Sequence, residues 1–155
     1  MKFGELSSWP APQQWFGHTS GVLCASYSPS GTHVVTGSRD QTIRIWDAET
    51  GAAVGRPLEG HNGDVFSVAC SGDGKHIISG SYDGTIRIWD AETRTAVGEP
   101  IMGHNGPVWS IACSPDGERI FSASSDTTVR IWETNTGAAV GEPLEGHSSL
   151  VLSVA

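Results

Sequence analysis

The sequence predicts an all-β chain: an array of three complete four-stranded units with partial strands at both ends. Three observations carry that prediction. Gly-His pairs end at His18, His61, His104 and His147, and each step is 43 residues. The Trp residues that follow Ile/Val-Arg-Ile, namely Trp46, Trp89 and Trp132, keep the same step, as do Asp40, Asp83 and Asp126 six residues before them. A fixed period in this range is the signature of a repeat architecture. Finally, 20 Gly in 155 residues is almost double the usual share of about 7%, which favours tight turns, and no stretch shows a helical period.

Taken in order, residues 1–14 read as an N-terminal tail. MKFGELSSWPAP has one Lys and no apolar run behind it, so no secretory signal is expected. Residues 15–155 hold the array, in repeats 18–60, 61–103 and 104–146 and a partial repeat 147–155. Each repeat opens on an alternating strand, VLCASYS, VFSVACS or VWSIACS. Pro29-Ser30-Gly31, Gly72-Asp73-Gly74 and Pro115-Asp116-Gly117 then turn the chain. The second strand is HVVTGS, HIISGS or RIFSAS, and the third, after a turn carrying the Asp, is TIRIWD, TIRIWD or TVRIWE. Their Ile, Val, Thr and Trp suit a pleated surface. AETG, AETR or TNTG turns the chain again, and a weaker fourth strand follows. It contains Pro57, Pro100 or Pro143, which lack a donor N–H and confine it to a sheet edge.

Seventeen acids against nine bases leave a net charge of −8. That balance argues against binding a nucleic-acid duplex, which draws its affinity from Lys and Arg on phosphates, and against a polybasic membrane patch. No run of 18 apolar residues spans a bilayer. Cys24, Cys70 and Cys113 fit neither a disulfide framework nor a zinc pattern; they read as small buried residues in a reducing compartment.

The Gly-His pair, the Trp-Asp dipeptide and the four-stranded unit together resemble the WD-repeat family of β-propellers over about residues 15–155. The departures are Glu133 after Trp132, and Cys70 and Cys113 where an aromatic is usual. The wording GAAVGEPLEGH also resembles repeat arrays of fungal NACHT-type receptors. The family resemblance implies a hydrogen-bonded tetrad in each repeat: His18, Thr36, Asp40 and Trp46; His61, Ser79, Asp83 and Trp89; His104, Ser122, Asp126 and Trp132. Such a set satisfies every polar group and can be buried. Ser38, Ser81 and Ser124 share the strand face of Thr36, Ser79 and Ser122, so either hydroxyl series can complete the tetrads. An Asp-His-Ser set also describes a hydrolase. A catalytic set occurs once, however, whereas these recur with the structural period under a Trp, so no enzyme is expected. No metal or cofactor is expected either, because the His residues lie 43 apart. His147 has no Asp or Trp after it.

The family further implies contact positions three and five residues after the His and one before the Asp. Here these are Gly21, Leu23 and Arg39; Asp64, Phe66 and Tyr82; Pro107, Trp109 and Ser125; with Leu150 and Leu152 in the partial repeat. Leu23, Arg39, Asp64, Phe66, Tyr82 and Trp109 are the expected partner-binding residues. Phe66 and Trp109 can instead fill a central channel. Arg44, Arg87 and Arg130 are read as stems laid along Trp rings. Asp47, Glu49, Asp90 and Glu92 are read as a solvated rim. Propellers close at about four to eight blades, so three complete blades imply a homo-oligomer or the remainder of a longer propeller. The expected role is a protein–protein interaction scaffold for a protein or peptide, without nucleic acid or membrane. The expected location is the cytoplasm, with the nucleus as the alternative. The other readings are a ligand-sensing array of a fungal immune receptor and, from another class, a hydrolase.

Overall fold

The computed structural model describes residues 16–155. The expected tail 1–14, and Trp15 at the start of the expected array, lie outside the described residues. Nine strands form three antiparallel sheets. Sheet 1 is β1 (Val22–Tyr27), β2 (His33–Ser38) and β3 (Ile43–Asp47). Sheet 2 is β4 (Val65–Cys70), β5 (His76–Ser81) and β6 (Ile86–Asp90), and sheet 3 is β7 (Val108–Cys113), β8 (Arg119–Ser124) and β9 (Val129–Glu133). Each is a meander in chain order, the topology that short turns between adjacent runs enforce. Among the described residues there is no helix.

The expected fourth strand does not form a continuous ladder. In sheet 1 the segment after β3 meets it at two isolated bridges, Trp46 with Ala53 and Ile43 with Leu58, and the same pairs recur in sheets 2 and 3. Its Pro57, Pro100 and Pro143 have no N–H to give, so the pairing is broken between the bridges. Likewise, residues 147–155 form no assigned strand. They are nevertheless docked: Val151 N–H donates to the Ser124 carbonyl at 3.1 Å.

The core lies between the sheets. The middle strands β2 and β5 are buried at five of six residues, because they have a strand on either side and a packed face. Val35, Ile43, Ile45, Val65, Val68 and Ile77 form the cluster between sheets 1 and 2. Ile78, Ile86, Ile88, Val108, Ile111 and Ile120 form the next. Each such side chain contributes roughly 1.5–3 kcal/mol when taken out of water. Valine knobs fit into glycine slots at these interfaces. A Cβ on Gly37 would lie 2.6 Å from Val65 Cγ1, and one on Gly80 would lie 2.7 Å from Val108 Cγ1.

Candidate functional site

Each repeat places a polar relay at one end of its sheet. In sheet 1, His18 Nδ1 lies 2.8 Å from Asp40 Oδ2 and His18 Nε2 lies 2.7 Å from Thr36 Oγ1. Trp46 Nε1 donates to the same Thr36 Oγ1 at 2.8 Å. Sheet 2 repeats this with His61–Asp83 at 3.0 Å, His61–Ser79 at 2.7 Å and Trp89–Ser79 at 2.9 Å. Sheet 3 has His104–Asp126 at 2.8 Å, His104–Ser122 at 2.7 Å and Trp132–Ser122 at 2.8 Å. The chemistry fixes the roles: Nδ1–H donates to the carboxylate, Nε2 accepts the hydroxyl proton, and the hydroxyl oxygen accepts the indole N–H.

The second hydroxyl series goes elsewhere. Ser81 Oγ donates to the Gly63 carbonyl and accepts Asp83 N–H, both at 3.1 Å. Ser38 and Ser124 do the same with Ser20 and Asp40, and with Gly106 and Asp126. These serines tie the loop before the first strand to the loop that carries the Asp. Thr42, Thr85 and Thr128 complete each relay by donating to Asp Oδ1 at 2.6, 2.7 and 2.7 Å. They do not figure among the expected tetrad residues, although a Thr two places after each Asp was the signal.

Burial raises the Asp40 carboxyl, but hydrogen bonds from Thr42, Thr19 and His18 outweigh it and bring the group to about 2. Asp83 and Asp126 move in the same direction for the same reasons. Burial holds His104 below its ordinary value against the upward pull of Asp126, which keeps Nε2 an acceptor. Ser79 and Ser122 are fully buried and already bound on both sides. A substrate carbonyl cannot reach them.

The expected contact residues lie beyond the relays at the same end, with Gly21, Arg39, Asp64, Tyr82, Pro107 and Ser125 on loops and Leu23, Phe66 and Trp109 in the first strands. One backbone hydrogen bond recurs there: Arg39 N–H to Gly21 O, Tyr82 N–H to Asp64 O and Ser125 N–H to Pro107 O, at 2.9, 2.9 and 3.0 Å. Arg39 Nε and Asp64 Oδ2 stand 3.8 Å apart between neighbouring sheets. The first strand of each sheet breaks register at one residue: between Val22 and Cys24, Val65 and Ser67, and Val108 and Ser110. The extra residues are Leu23, Phe66 and Trp109. A bulge re-aims its side chain, and here it turns Phe66 and Trp109 onto each other. Their rings stack with centroids 4.2 Å apart and planes 16° apart. Tyr82 meets Phe66 edge-on at 6.1 Å and is exposed, while Phe66 and Trp109 are half-buried. Trp109 Nε1 donates to Ser125 Oγ at 2.6 Å. Leu23 is half-buried, and Leu150 and Leu152 are exposed.

The glycine of each Gly-His pair has a packing role. A Cβ on Gly17 would lie 2.8 Å from the Trp46 ring and 3.1 Å from the Arg44 guanidinium. Gly60 and Gly103 stand likewise over Trp89 with Arg87 and over Trp132 with Arg130. A separate cleft of about 500 Å³ opens at the opposite strand ends, between sheets 1 and 2, over Val35, Ile45, Cys70 and Ile77. Among the described residues no group of three His, Cys, Asp or Glu can hold a metal ion, and no helix is long and apolar enough to cross a membrane.

The family model described as "WD domain, G-beta repeat" matches residues 11–47, 53–90 and 97–133. Among curated proteins the chain is similar to the "Ribosome biogenesis protein BOP1 homolog" of Anopheles gambiae, 38% identical over 52 residues, which is 32% of this chain and 6% of that protein. It is also similar to the "Notchless protein homolog" of Arabidopsis thaliana, 50% identical over 34 residues, 22% of this chain and 7% of that protein. The solved structure of RRP9 WD40 repeats superposes with a TM-score of 0.84 and 27% identity, covering 90% of this chain and 43% of that one. The chain thus spans a small part of these curated relatives and less than half of the solved structure.

Proposed function

The chain belongs to the WD domain, G-beta repeat family, and on that premise we propose that it is a protein-interaction scaffold that presents the loop end of its sheets to a protein or peptide. The observation that carries this reading is the Phe66–Trp109 stack with Tyr82 at its edge. Aromatic side chains held in place near the centre of a surface are the usual anchors of an interface. The relays support it as structural parts: they lock the loops on which Arg39, Asp64, Tyr82 and Ser125 stand.

The matched relatives favour the scaffold over a fungal immune receptor. One of them is by its name a ribosome biogenesis protein, which favours the nuclear alternative over the cytoplasm. It also leaves open partners that themselves carry RNA, so the exclusion of nucleic acid is not carried forward. The relay geometry speaks against the hydrolase, since its hydroxyls are buried under Trp.

A phage-displayed peptide library tests the reading. Peptides selected on the wild-type chain should lose binding to Phe66→Ala and Trp109→Ala and keep it to Tyr27→Ala, which alters an exposed residue at the far end of β1. Peptides that bind all three variants equally would place the interface elsewhere.

A further inference from the structure

The cleft between sheets 1 and 2 lies at the strand ends away from the aromatic stack. Its floor is apolar: Val35, Ile45 and Ile77 are buried, and Val54, Cys70 and Ala91 are half-buried. Its volume of about 500 Å³ falls within the usual range of ligand clefts. Arg94 lines it and is exposed. That residue departs from the repeat, since Gly51 and Gly137 hold the same place in the other two units. All three have left-handed backbone, with φ of 69° at Gly51, 58° at Arg94 and 68° at Gly137. Glycine adopts this conformation freely and arginine does not, so the backbone gives no reason for the change.

The Arg94 side chain reaches back to the segment that follows β3. A Cβ on Gly55 would lie 2.8 Å from Arg94 Nε and 3.0 Å from its Cζ, whereas one on Gly98 or Gly141 would meet nothing. Next to Gly55 stands Arg56, also exposed, where the other repeats carry Glu99 and Glu142. Two departures from the repeat thus bring two arginines beside one cleft, in a chain of net charge −8. Neither arginine is neutralised from within. Arg39 faces Asp64 at 3.8 Å and Arg119 faces Glu133 at 3.0 Å, but among the described residues no acid comes within 4.0 Å of Arg56 or Arg94. Two acids line the same cleft. Asp73 is held by Ser71 Oγ at 2.6 Å and by Lys75 N–H at 3.0 Å, and Glu92 stays outside ion-pair distance of Arg94.

We propose that this cleft is a second binding site, which takes an acidic peptide segment of a partner protein: an aliphatic or aromatic side chain enters over the apolar floor, and a neighbouring Asp or Glu reaches Arg94 and Arg56. Charge complementarity names the occupant. A guanidinium pairs with a carboxylate through two parallel N–H donors, while the apolar floor offers nothing to a purely polar ligand. The site lies at the opposite end of the sheets from the aromatic stack, so one chain can hold two partners.

A random peptide library displayed on phage, selected on the whole wild-type chain and depleted on the Arg56→Glu, Arg94→Gly double variant, tests this. Both changes restore residues that the sister repeats carry, so the far-UV circular dichroism should be unchanged. The surviving peptides should place Asp or Glu next to Leu, Ile or Phe. Measured by fluorescence anisotropy, each should bind the double variant at least about tenfold more weakly than the wild type and should weaken as salt is added. Replacing the apolar residue of the peptide by Ser should cost about fivefold or more. The proposal is overturned if no peptide survives depletion, or if the survivors carry no acid. Survivors that keep their affinity after the change to Ser overturn it too, because they are then plain anions drawn to the arginines. So do survivors displaced by peptides that depend on Phe66 and Trp109, which belong to the loop end.

Discussion

Phe66 stacks on Trp109 across the boundary between sheets 2 and 3, with ring centroids 4.2 Å apart. Neither residue reaches the other by strand alternation alone. Each is the extra residue of a bulge in its first strand, so its neighbour Val65 or Val108 stays fully buried while the aromatic turns towards the loops. Ser125 fixes the Trp109 indole and Tyr82 buttresses Phe66. The pair is therefore held in place before any partner arrives, which lowers the ordering cost of binding.

The stack should be measurable without a partner. Phe66→Ala, Trp109→Ala and the double variant, compared by urea denaturation, should show a coupling of about 0.5–1.5 kcal/mol. Strict additivity would mean that the two rings meet without stabilising one another.

The 43-residue period, the three strands per unit and the positions of the relays are legible in the sequence for one physical reason. A buried polar network must recur wherever the sheet recurs, so His, Asp and Trp keep phase with the strands. Two features were not legible. Thr36 and Ser38 lie on one face of a strand, and only the direction of the His18 ring separates them. The bulges at Leu23, Phe66 and Trp109 carry no residue type in common, so nothing in the pattern announces them. The fourth segment lies between these cases: Pro57, Pro100 and Pro143 signal an edge, but not that pairing contracts to two bridges.

Trp89→Phe should cost roughly 1–3 kcal/mol, because the buried Ser79 hydroxyl loses its donor. Trp109→Phe should cost less, since Ser125 is only half-buried and water can replace the indole. Denaturant midpoints of the two variants check the order, and a Trp89→Phe change of a few tenths would mean that the indole N–H stabilises nothing.

Acid should unfold the chain in two stages. Burial lowers His104, so the unfolded imidazole, near 6.5, takes up a proton first. That stability is present above about pH 6.5 and declines below it. Asp40 is held at about 2 against an ordinary 3.8, and Asp83 and Asp126 shift the same way. Their stability is present above about pH 4 and is lost as pH falls towards the folded values. The urea midpoint should therefore dip gently below 6.5 and fall steeply below 4. A midpoint that rises on acidification from 6 to 3 would contradict the relay electrostatics.

The cysteines should be slow to react. Burial pushes the Cys24 thiol up to about 11 and Cys113 to about 12, and raises Cys70 as well. Against an ordinary value near 9, Cys24 holds about 100-fold less thiolate at neutral pH, and the thiolate is the reactive form. Labelling by a disulfide reagent should be slower than in guanidinium by at least about that factor. Equal rates would mean that the sheets open freely.

Gly80→Ala should expose how tightly the sheets are set. The new methyl would sit 2.7 Å from Val108 Cγ1 and 2.9 Å from Ile111 Cγ1, well inside ordinary contact, so sheets 2 and 3 must separate or Val108 must leave its slot. Overpacking of this kind costs roughly 1–3 kcal/mol. The chain already contains the comparison, because Ala123 occupies the same position in sheet 3 and its knob, Val151, is 8% exposed where Val65 and Val108 are 0%. Val108→Ala removes the nearer of the two clashes and leaves room for Ile111 to shift, so Gly80→Ala should cost less in a Val108→Ala background than in the wild type. Denaturation of the four proteins in that cycle decides it. Equal costs in both backgrounds would mean that the knob and slot do not define the spacing of the sheets.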